Sequence, residues 1–373
     1  MVQNKRDNDP NRPLTAIGLM SGTSLDGIDA ALIKTDGIGV FEHGPVSSTP
    51  YQTGFRNKLR ACLGHQTATP ALISDFTQIH CEIVQNLLNE NGLGASDVDL
   101  IGFHGQTIFH DPANRLTVQI GDGQQMADLT GIDIIAGFRM EDVAAGGEGA
   151  PFAPLYHRAL SHELGGPLAV LNLGGVGNVT YLNGDDVLAF DTGPANALVD
   201  DWVLRHTGQT YDAEGRIAAT GTVDETVLAQ LMDHPYFDIV PPKSLDRDQF
   251  PTAVVDGLTL EDGAATLLRF TSESIRKSLG HLPTAPKRWL LTGGGRKNPE
   301  LIRLIAEAVA APVAPVEDVG WRGDDLEAEA FAFLAVRSLK GLPLSLPKTT
   351  GVPKPMTGGT LFSASPSQMS SVV

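Results

Sequence analysis

Twice along this chain an apolar run ends in a glycine-rich turn, a second apolar run follows, and an Asx-Gly pair leads into a third. The first series is Leu14 to Met20, the turn Ser21-Gly22-Thr23-Ser24-Leu25-Asp26-Gly27, Ile28 to Ile33, Asp36-Gly37, and Val40 towards Tyr51. The second is Leu168 to Leu173, Gly174-Gly175-Val176-Gly177-Asn178, Val179 to Leu182, Asn183-Gly184, and Val187 to Phe190. Short apolar runs bounded by turn residues read as buried strands, and Asx-Gly pairs as hairpins. The residues hardly match between the two series, but the punctuation does, which reads as an internal duplication. Chance recurrence is the alternative, since Asx-Gly hairpins are common.

Between and after these series the pattern alternates in the α/β manner. Helices are expected over Thr53–Leu63 and Ala71–Asn91, the second with Leu72, Phe76, Ile79, Ile83, Leu87 and Leu88 on one stripe. Strands ending at Phe103, Ile120 and Ala136 deliver His104-Gly105-Gln106-Thr107, Gly121-Asp122-Gly123 and Gly137-Phe138-Arg139. The segment AAGGEGAPFAP, residues 144–154, leads into a helix to about Leu164. In the second half, helices are expected near Ala195–Thr207, Glu225–Met232, Thr259–Leu279, Asn298–Ala311 and Asp324–Lys340. A strand from Trp289 to Thr292 delivers Gly293-Gly294-Gly295. The expected division is a flexible leader over 1–13, a first domain over 14–166, a second over 167–340 and an irregular tail over 341–373.

Composition removes several classes of function. The net charge is −17, with 42% hydrophobic residues in 373. A nucleic-acid binder needs a basic face, and anionic lipid repels such a chain. Cys62 and Cys81 have no CxxC spacing, so neither a disulfide framework nor a zinc site is expected. No run of about 18 apolar residues exists to span a membrane, and the polar N-terminus is no secretory signal. A soluble cytoplasmic protein is the expectation.

The first glycine-rich turn suits an anion. Its glycines permit unusual backbone angles, its hydroxyls and backbone N–H groups can surround a phosphate, and Asp26 and Asp29 suit a hard cation beside it. The same composition suits an ordinary hairpin turn. There is no GxxxxGK[ST] loop. Gly174 to Gly177 is followed by a strand and hairpin rather than a helix, so a dinucleotide fingerprint fails on context. Gly293 to Gly295 lies between a strand and a helix and leaves bare backbone for a flat ligand.

Two such turns from two repeated halves, with a third late in the chain, are the layout of the actin-like sugar-kinase and heat-shock ATPase superfamily. The motif series is closer still. GLMSGTSLDGIDAAL, IGFHGQTIFH, FRMEDVAAGGEGAPFAP, NLGGVGNVTYL, FDTGPANALVDDW, HPYFDIVPPKS, LLTGGGRKNPEL and LEAEAFAFLAVR, in that order over about residues 15–340, resemble the anhydro-N-acetylmuramic acid kinases. The resemblance implies two duplicated actin-like (ribonuclease H-like) domains with mixed sheets flanked by helices and an ATP cleft between them. It implies a cytoplasmic homodimer that uses ATP and Mg²⁺ in peptidoglycan recycling. ATP and water act on the internal glycosidic bond of 1,6-anhydro-N-acetylmuramic acid and give N-acetylmuramic acid 6-phosphate and ADP.

Residue by residue, the resemblance implies Asp191 as the base for water; it follows an apolar strand and enters a Gly-Pro turn. For ATP it implies Gly22, Thr23, Ser24, Leu25, Asp26, Gly27, Ile28 and Asp29, then Gly174, Gly175 and Asn178, with Gly293, Gly294 and Gly295 beside the adenosine. Asp26 is the carboxylate for Mg²⁺, through water if not directly, and Asp29 is second choice. For the sugar it implies His104, Gln106, Thr107, Arg139, Glu148, Asn172, Gly193 and Glu327. Arg139 suits the lactyl carboxylate, and Glu148 and Glu327 suit hydroxyls. Phe331, one turn beyond Glu327, belongs to the buried stripe, which directs Glu327 inward. The chain departs from the family pattern at Gly137 (usually Asp), Glu148 (commonly Gln), Ala195 (Gly), Lys297 (usually His) and Ser244-Leu245-Asp246-Arg247 (a Ser-Thr-Gly-Arg run). The rival readings are a kinase of another amino sugar and a sugar or nucleotide sensor without turnover.

Overall fold

A computed structural model describes residues 12–22, 24–245 and 249–365. The chain forms two compact units, the first containing the described residues through Leu160 together with Asp325–Pro347 and those from Gly351 on. The second runs over Ser161–Asp324 and includes Lys348–Thr350.

In the first unit β1 (Leu14–Met20), β2 (Gly27–Thr35) and β3 (Val40–Pro50) form an antiparallel meander. Helices α1 (Thr53–Arg60) and α2 (Pro70–Glu90) follow. Thr69 starts α2 by accepting the Leu72 N–H at 3.2 Å, and Pro70 occupies a first-turn position that needs no N–H. Next come β4 (Leu100–Phe103), the hairpin β5 (Gln106–Asp111) and β6 (Leu116–Ile120), α3 (Gly123–Thr130), β7 (Ile134–Ala136), α4 (Met140–Ala144) and α5 (Pro154–Leu160). Gln106 and Thr107, expected in a loop, open β5.

The second unit repeats the plan. Strands β8 (Leu168–Leu173), β9 (Val176–Asn183) and β10 (Asp186–Pro194) form its antiparallel meander. Then come α6 (Asn196–Thr207), α7 (Glu225–Met232), α8 (Leu260–Ser278), β11 (Arg288–Thr292), α9 (Pro299–Val309) and β12 (Val313–Pro315). Its core gathers Trp202, Trp289, Phe190 and Phe270.

The sheets read β3-β2-β1-β4-β7 and β10-β9-β8-β11-β12. In each, three antiparallel strands are followed by two parallel to the first. Two copies of one five-strand order make the duplicated, mixed-sheet actin-like architecture that the sequence leads one to expect.

Two differences come from the C-terminal part. Helix α10 (Leu326–Leu339) was expected in the second domain but packs in the first unit. Gly18 and Gly102 make room for it: a Cβ on either would lie 1.8 Å from the Ala328 carbonyl oxygen or 2.2 Å from that of Phe331. Ile17 and Leu19, on the opposite face of β1, join Phe76 and Val84 of α2 in the core. The expected irregular tail contributes β13 (Thr360–Phe362), which adds antiparallel to β7. At the other end Arg12 is paired with Asp99 at 2.6 Å; the leader before it lies outside the described residues.

Candidate active site

The turn between β1 and β2 is built by its own side chains. The Asp26 Oδ1 accepts from Ser24 Oγ and from the Gly27 N–H, both at 2.9 Å, and the side chain is exposed. Neither Gly22 nor Gly27 has the unusual backbone angle expected of it. The residue with positive φ is Leu25, at 55°, whose side chain is buried in the core, as is that of Ile28. Only the backbone of these two residues is available to a ligand. Gly27 is required because a Cβ there would lie 2.4 Å from the Thr49 carbonyl oxygen on β3. Thr23 lies outside the described residues. Asp29 is half-buried on β2 opposite Met20.

Beneath the turn runs a buried relay. Ser21 Oγ donates to Gln106 Oε1 at 2.7 Å. Its one proton being used, Ser21 accepts from Tyr51 Oη, also at 2.7 Å. Gln106 is fully buried in this relay and donates to the Thr107 carbonyl, so it braces the loop. His104 is buried in a similar way. It is 4% exposed, and its Nε2 accepts from Arg139 Nε at 3.1 Å and Nη2 at 3.0 Å. That fixes His104 as the neutral tautomer with its proton on Nδ1. Burial first, and the Arg139 charge second, hold its pKa well below the ordinary value.

Arg139 is therefore presented by His104. Its Nη1 donates to the Gly149 carbonyl, its guanidinium lies 5.4 Å from the Phe152 ring centre, and burial lowers its pKa to about 10 against the pull of Glu327 and Asp142. The Glu148 loop is pinned on both sides, since Gly149 N–H donates to Asp142 Oδ1 at 2.7 Å and His110 Nε2 donates to the Glu148 carbonyl at 2.9 Å. Thr107 Oγ1 accepts from Gln119. Gly137 has φ 72°, a conformation that Asp tolerates better than most residues. Beyond the ends of β4, β6 and β7 lies a cavity of about 140 Å³ lined by His104, Gly121, Gly137, Met140 and Phe362, where α/β sheets hold their ligands.

Glu327 is exposed on the first turn of α10 rather than directed inward. The buried acid is Glu329, fully enclosed, accepting from Tyr156 Oη at 2.7 Å and contacting His43 Nδ1 at 2.9 Å. Sequence reasoning missed it because a Glu in an Ala-rich helix looks solvated.

In the second unit the strand register sets Asn172, Asn178 and Asp191 side by side on β8, β9 and β10. All three are half-buried, and facing neighbours share one side of a sheet. The strand does not end at Asp191, as expected, but continues to Pro194 past a register shift between Asp191 and Gly193. Such a shift re-aims side chains. Gly193 permits α8 to approach, since a Cβ there would lie 2.5 Å from Ser274 Oγ. Asp191 is clasped by the segment after α7. Its N–H donates to the Lys243 carbonyl at 3.1 Å, Leu245 N–H donates to its Oδ2 at 2.9 Å, and Tyr236 Oη donates to its carbonyl. Asp246 and Arg247 lie outside the described residues.

The turn after β8 caps α6. The Gly174 carbonyl accepts from Asn196 N–H at 2.9 Å, and that of Gly175 from Ala195 and Ala197 at 3.0 and 3.2 Å. The first donors of α6 are thus spent on this turn, leaving the turn's own N–H groups for an anion. Of the three late glycines, Gly293 (φ 75°) and Gly295 are needed for packing: added Cβ atoms would lie 2.3 Å from Asn172 Oδ1 and 2.7 Å from Leu173 Cβ. Gly294 is exposed with open space before it and is the bare backbone available to a flat ligand. Arg296, also missed from sequence, holds this loop: it donates to the Gly293 carbonyl and to Glu317, both at 2.9 Å, and pairs with Asp324 at 3.0 Å. Lys297 pairs with Asp324 as well.

The residues fit a hard cation at Asp26. The carboxylate is exposed, and its two hydrogen bonds, from Ser24 and Gly27, both use Oδ1, which leaves Oδ2 for Mg²⁺ or its water. No group of three or more metal-ligating side chains occurs among the described residues.

Comparison with known proteins gives the family of the chain. The family model described as anhydro-N-acetylmuramic acid kinase matches residues 14–364. A protein of that name from Paramagnetospirillum magneticum is 52% identical over 350 residues, covering 93% of this chain and 99% of its own. Those from Rhodospirillum rubrum and Rhizorhabdus wittichii are 50% and 51% identical, covering 94% and 93% of this chain and 94% and 98% of their own. The chain belongs to the anhydro-N-acetylmuramic acid kinase family.

Proposed function

We propose that the protein opens 1,6-anhydro-N-acetylmuramic acid with water and transfers the γ-phosphoryl group of ATP to O6, giving N-acetylmuramic acid 6-phosphate and ADP for reuse of cell-wall sugar. The observation that carries the reading is Asp191, a half-buried carboxylate clasped at N–H, carbonyl and Oδ2 on a chain of this family. Asp191 takes a proton from water, and the water oxygen bonds to C1 of the sugar. The C1–O6 bond breaks, O6 bonds to the γ-phosphorus, and the β–γ bridging oxygen leaves with ADP. An inverting glycosidase needs a second carboxylic acid for its leaving oxygen; here phosphorus accepts that oxygen. Base assistance of this kind contributes about 10²–10⁴ in rate.

Arg139, presented by neutral His104, meets the lactyl carboxylate, and Glu148, Glu327, Thr107, Asn172 and the Gly193 backbone meet the rest of the sugar. His104 and Gln106 act from behind. The N–H groups of the Gly22–Gly27 and Gly174–Gly175 turns and Asn178 bind phosphate oxygens, and Gly294 lies against the adenosine, with Gly293 and Gly295 shaping its loop. Asp26, with Asp29 nearby on β2, would hold Mg²⁺, which would supply neutralisation of phosphate charge. Cytoplasmic location and a homodimer enter this reading from the family resemblance; no helix among the described residues is long and apolar enough to cross a membrane.

The test is ADP release with a panel of sugars. Turnover with the anhydro sugar, and none with N-acetylmuramic acid or N-acetylglucosamine, supports the reading. The reverse preference makes the protein a kinase of another amino sugar, and nucleotide binding without ADP release makes it a sensor.

A further inference from the structure

Lys243 has no part in the reaction as written, yet it is 8% exposed in an irregular segment, where lysines are rarely buried. Its Nζ donates to the Tyr236 carbonyl at 3.0 Å. The ammonium lies 4.3 Å from the centre of the Tyr236 ring and 6.0 Å from that of Phe190. This one side chain ties residue 243 back to residue 236, closing the segment on itself. The closed segment is the one that clasps Asp191, through the Tyr236 hydroxyl, the Lys243 carbonyl and the Leu245 N–H.

We propose that Lys243 is a positioning residue for Asp191, holding the clasp closed and keeping a positive charge within electrostatic reach of the carboxylate so that it stays ionised and aimed. The proposal rests on the reading of Asp191 as the base. A flexible loop alone could supply the same three hydrogen bonds only by paying the ordering entropy of some ten residues; the buried ammonium fixes them beforehand. Among the described residues, the charged groups within electrostatic reach of Lys243 are Asp238 and Asp191. Burial lowers Lys243 to about 8 against the pull of these two acids, and burial raises the Tyr236 phenol well above its ordinary value. At pH 7 the ammonium is therefore mostly charged and the phenol neutral.

The test follows the Asp191 carboxyl by ¹³C NMR through a pH titration, with Asp191→Asn to assign its signal, alongside kcat and KM for the anhydro sugar. Lys243→Met removes the charge and keeps most of the side-chain length. The expected result is that it raises the Asp191 carboxyl pKa by about one pH unit. The acid limb of kcat moves with it, about tenfold lower activity on that limb, while KM changes less than about threefold. Lys243→Arg keeps the acid limb of the wild type and abolishes a loss of activity as pH rises through about 8. An unmoved carboxyl titration in folded Lys243→Met overturns the proposal. If that variant does not fold, a basic limb that persists unchanged in Lys243→Arg overturns it instead. A moved titration together with full activity in Asp191→Asn sinks the base reading and leaves the positioning role standing.

Discussion

Arg139 shows how a single residue is made ready here. Three of its five N–H donors are used, two on neutral His104 and one on the Gly149 carbonyl, so the guanidinium plane is fixed and two donors remain for a carboxylate. A lysine supplies charge but not that fork. Arg139→Lys is therefore expected to raise KM for the anhydro sugar about tenfold, the value of one charged hydrogen bond, with a smaller effect on kcat; steady-state kinetics checks this. At this scale the sequence was partly legible. Asp191 stands out because an apolar run delivers it to a Gly-Pro pair, and Arg139 because it follows a strand. Lys243, Arg296 and Glu329 did not stand out, because their burial depends on what folds over them and has no periodic signature. The hydrogen bonds that brace His104 and Gln106 were not legible either, since spacing cannot tell a residue that touches a ligand from one that braces its neighbour.

The glycine-rich turns are where element and ligand meet, and the structure separates glycines needed for packing from those available to a ligand. Gly295 sits against Leu173 and Asn196, while Gly294 faces open space. Gly295→Ala should cost about 1–3 kcal/mol of stability, the range for overpacking. Gly294→Ala should stay within about 0.5 kcal/mol while weakening nucleotide binding. Urea unfolding together with nucleotide titration measures both. The strands and hairpins were legible because apolar runs and Asx-Gly pairs are local signals. The place of α10 was not. Its Ala-rich face fits Gly18 and Gly102, residues some three hundred and two hundred positions earlier, and only the folded sheet brings them together.

At the scale of the whole molecule, acid should destabilise the chain through buried neutral histidines as well as through its carboxylates. Burial lowers His80 to about 4 and His157 to about 3, from 6.5. Between pH 6.5 and those values the unfolded chain binds protons that the folded chain refuses, so stability falls as pH falls. Each histidine adds a loss of about 1.4 kcal/mol per pH unit in that window. Unfolding free energies at pH 7 and pH 5, with His80→Leu as the comparison, check this: the variant should show the shallower slope. The duplicated sheet order is the firmest link between sequence and structure, since the same five-strand order recurs in both sheets, β13 being added to the first. The central claim is that bond opening and phosphoryl transfer form one hydrolytic event with Asp191 as base. The most direct measurement is to run the reaction with the anhydro sugar, ATP and Mg²⁺ in ¹⁸O-labelled water and analyse the product by mass spectrometry. The account predicts sugar 6-phosphate with one label at C1, and its loss in Asp191→Asn; phosphate on a still-closed ring, or label and turnover surviving that substitution, would contradict it.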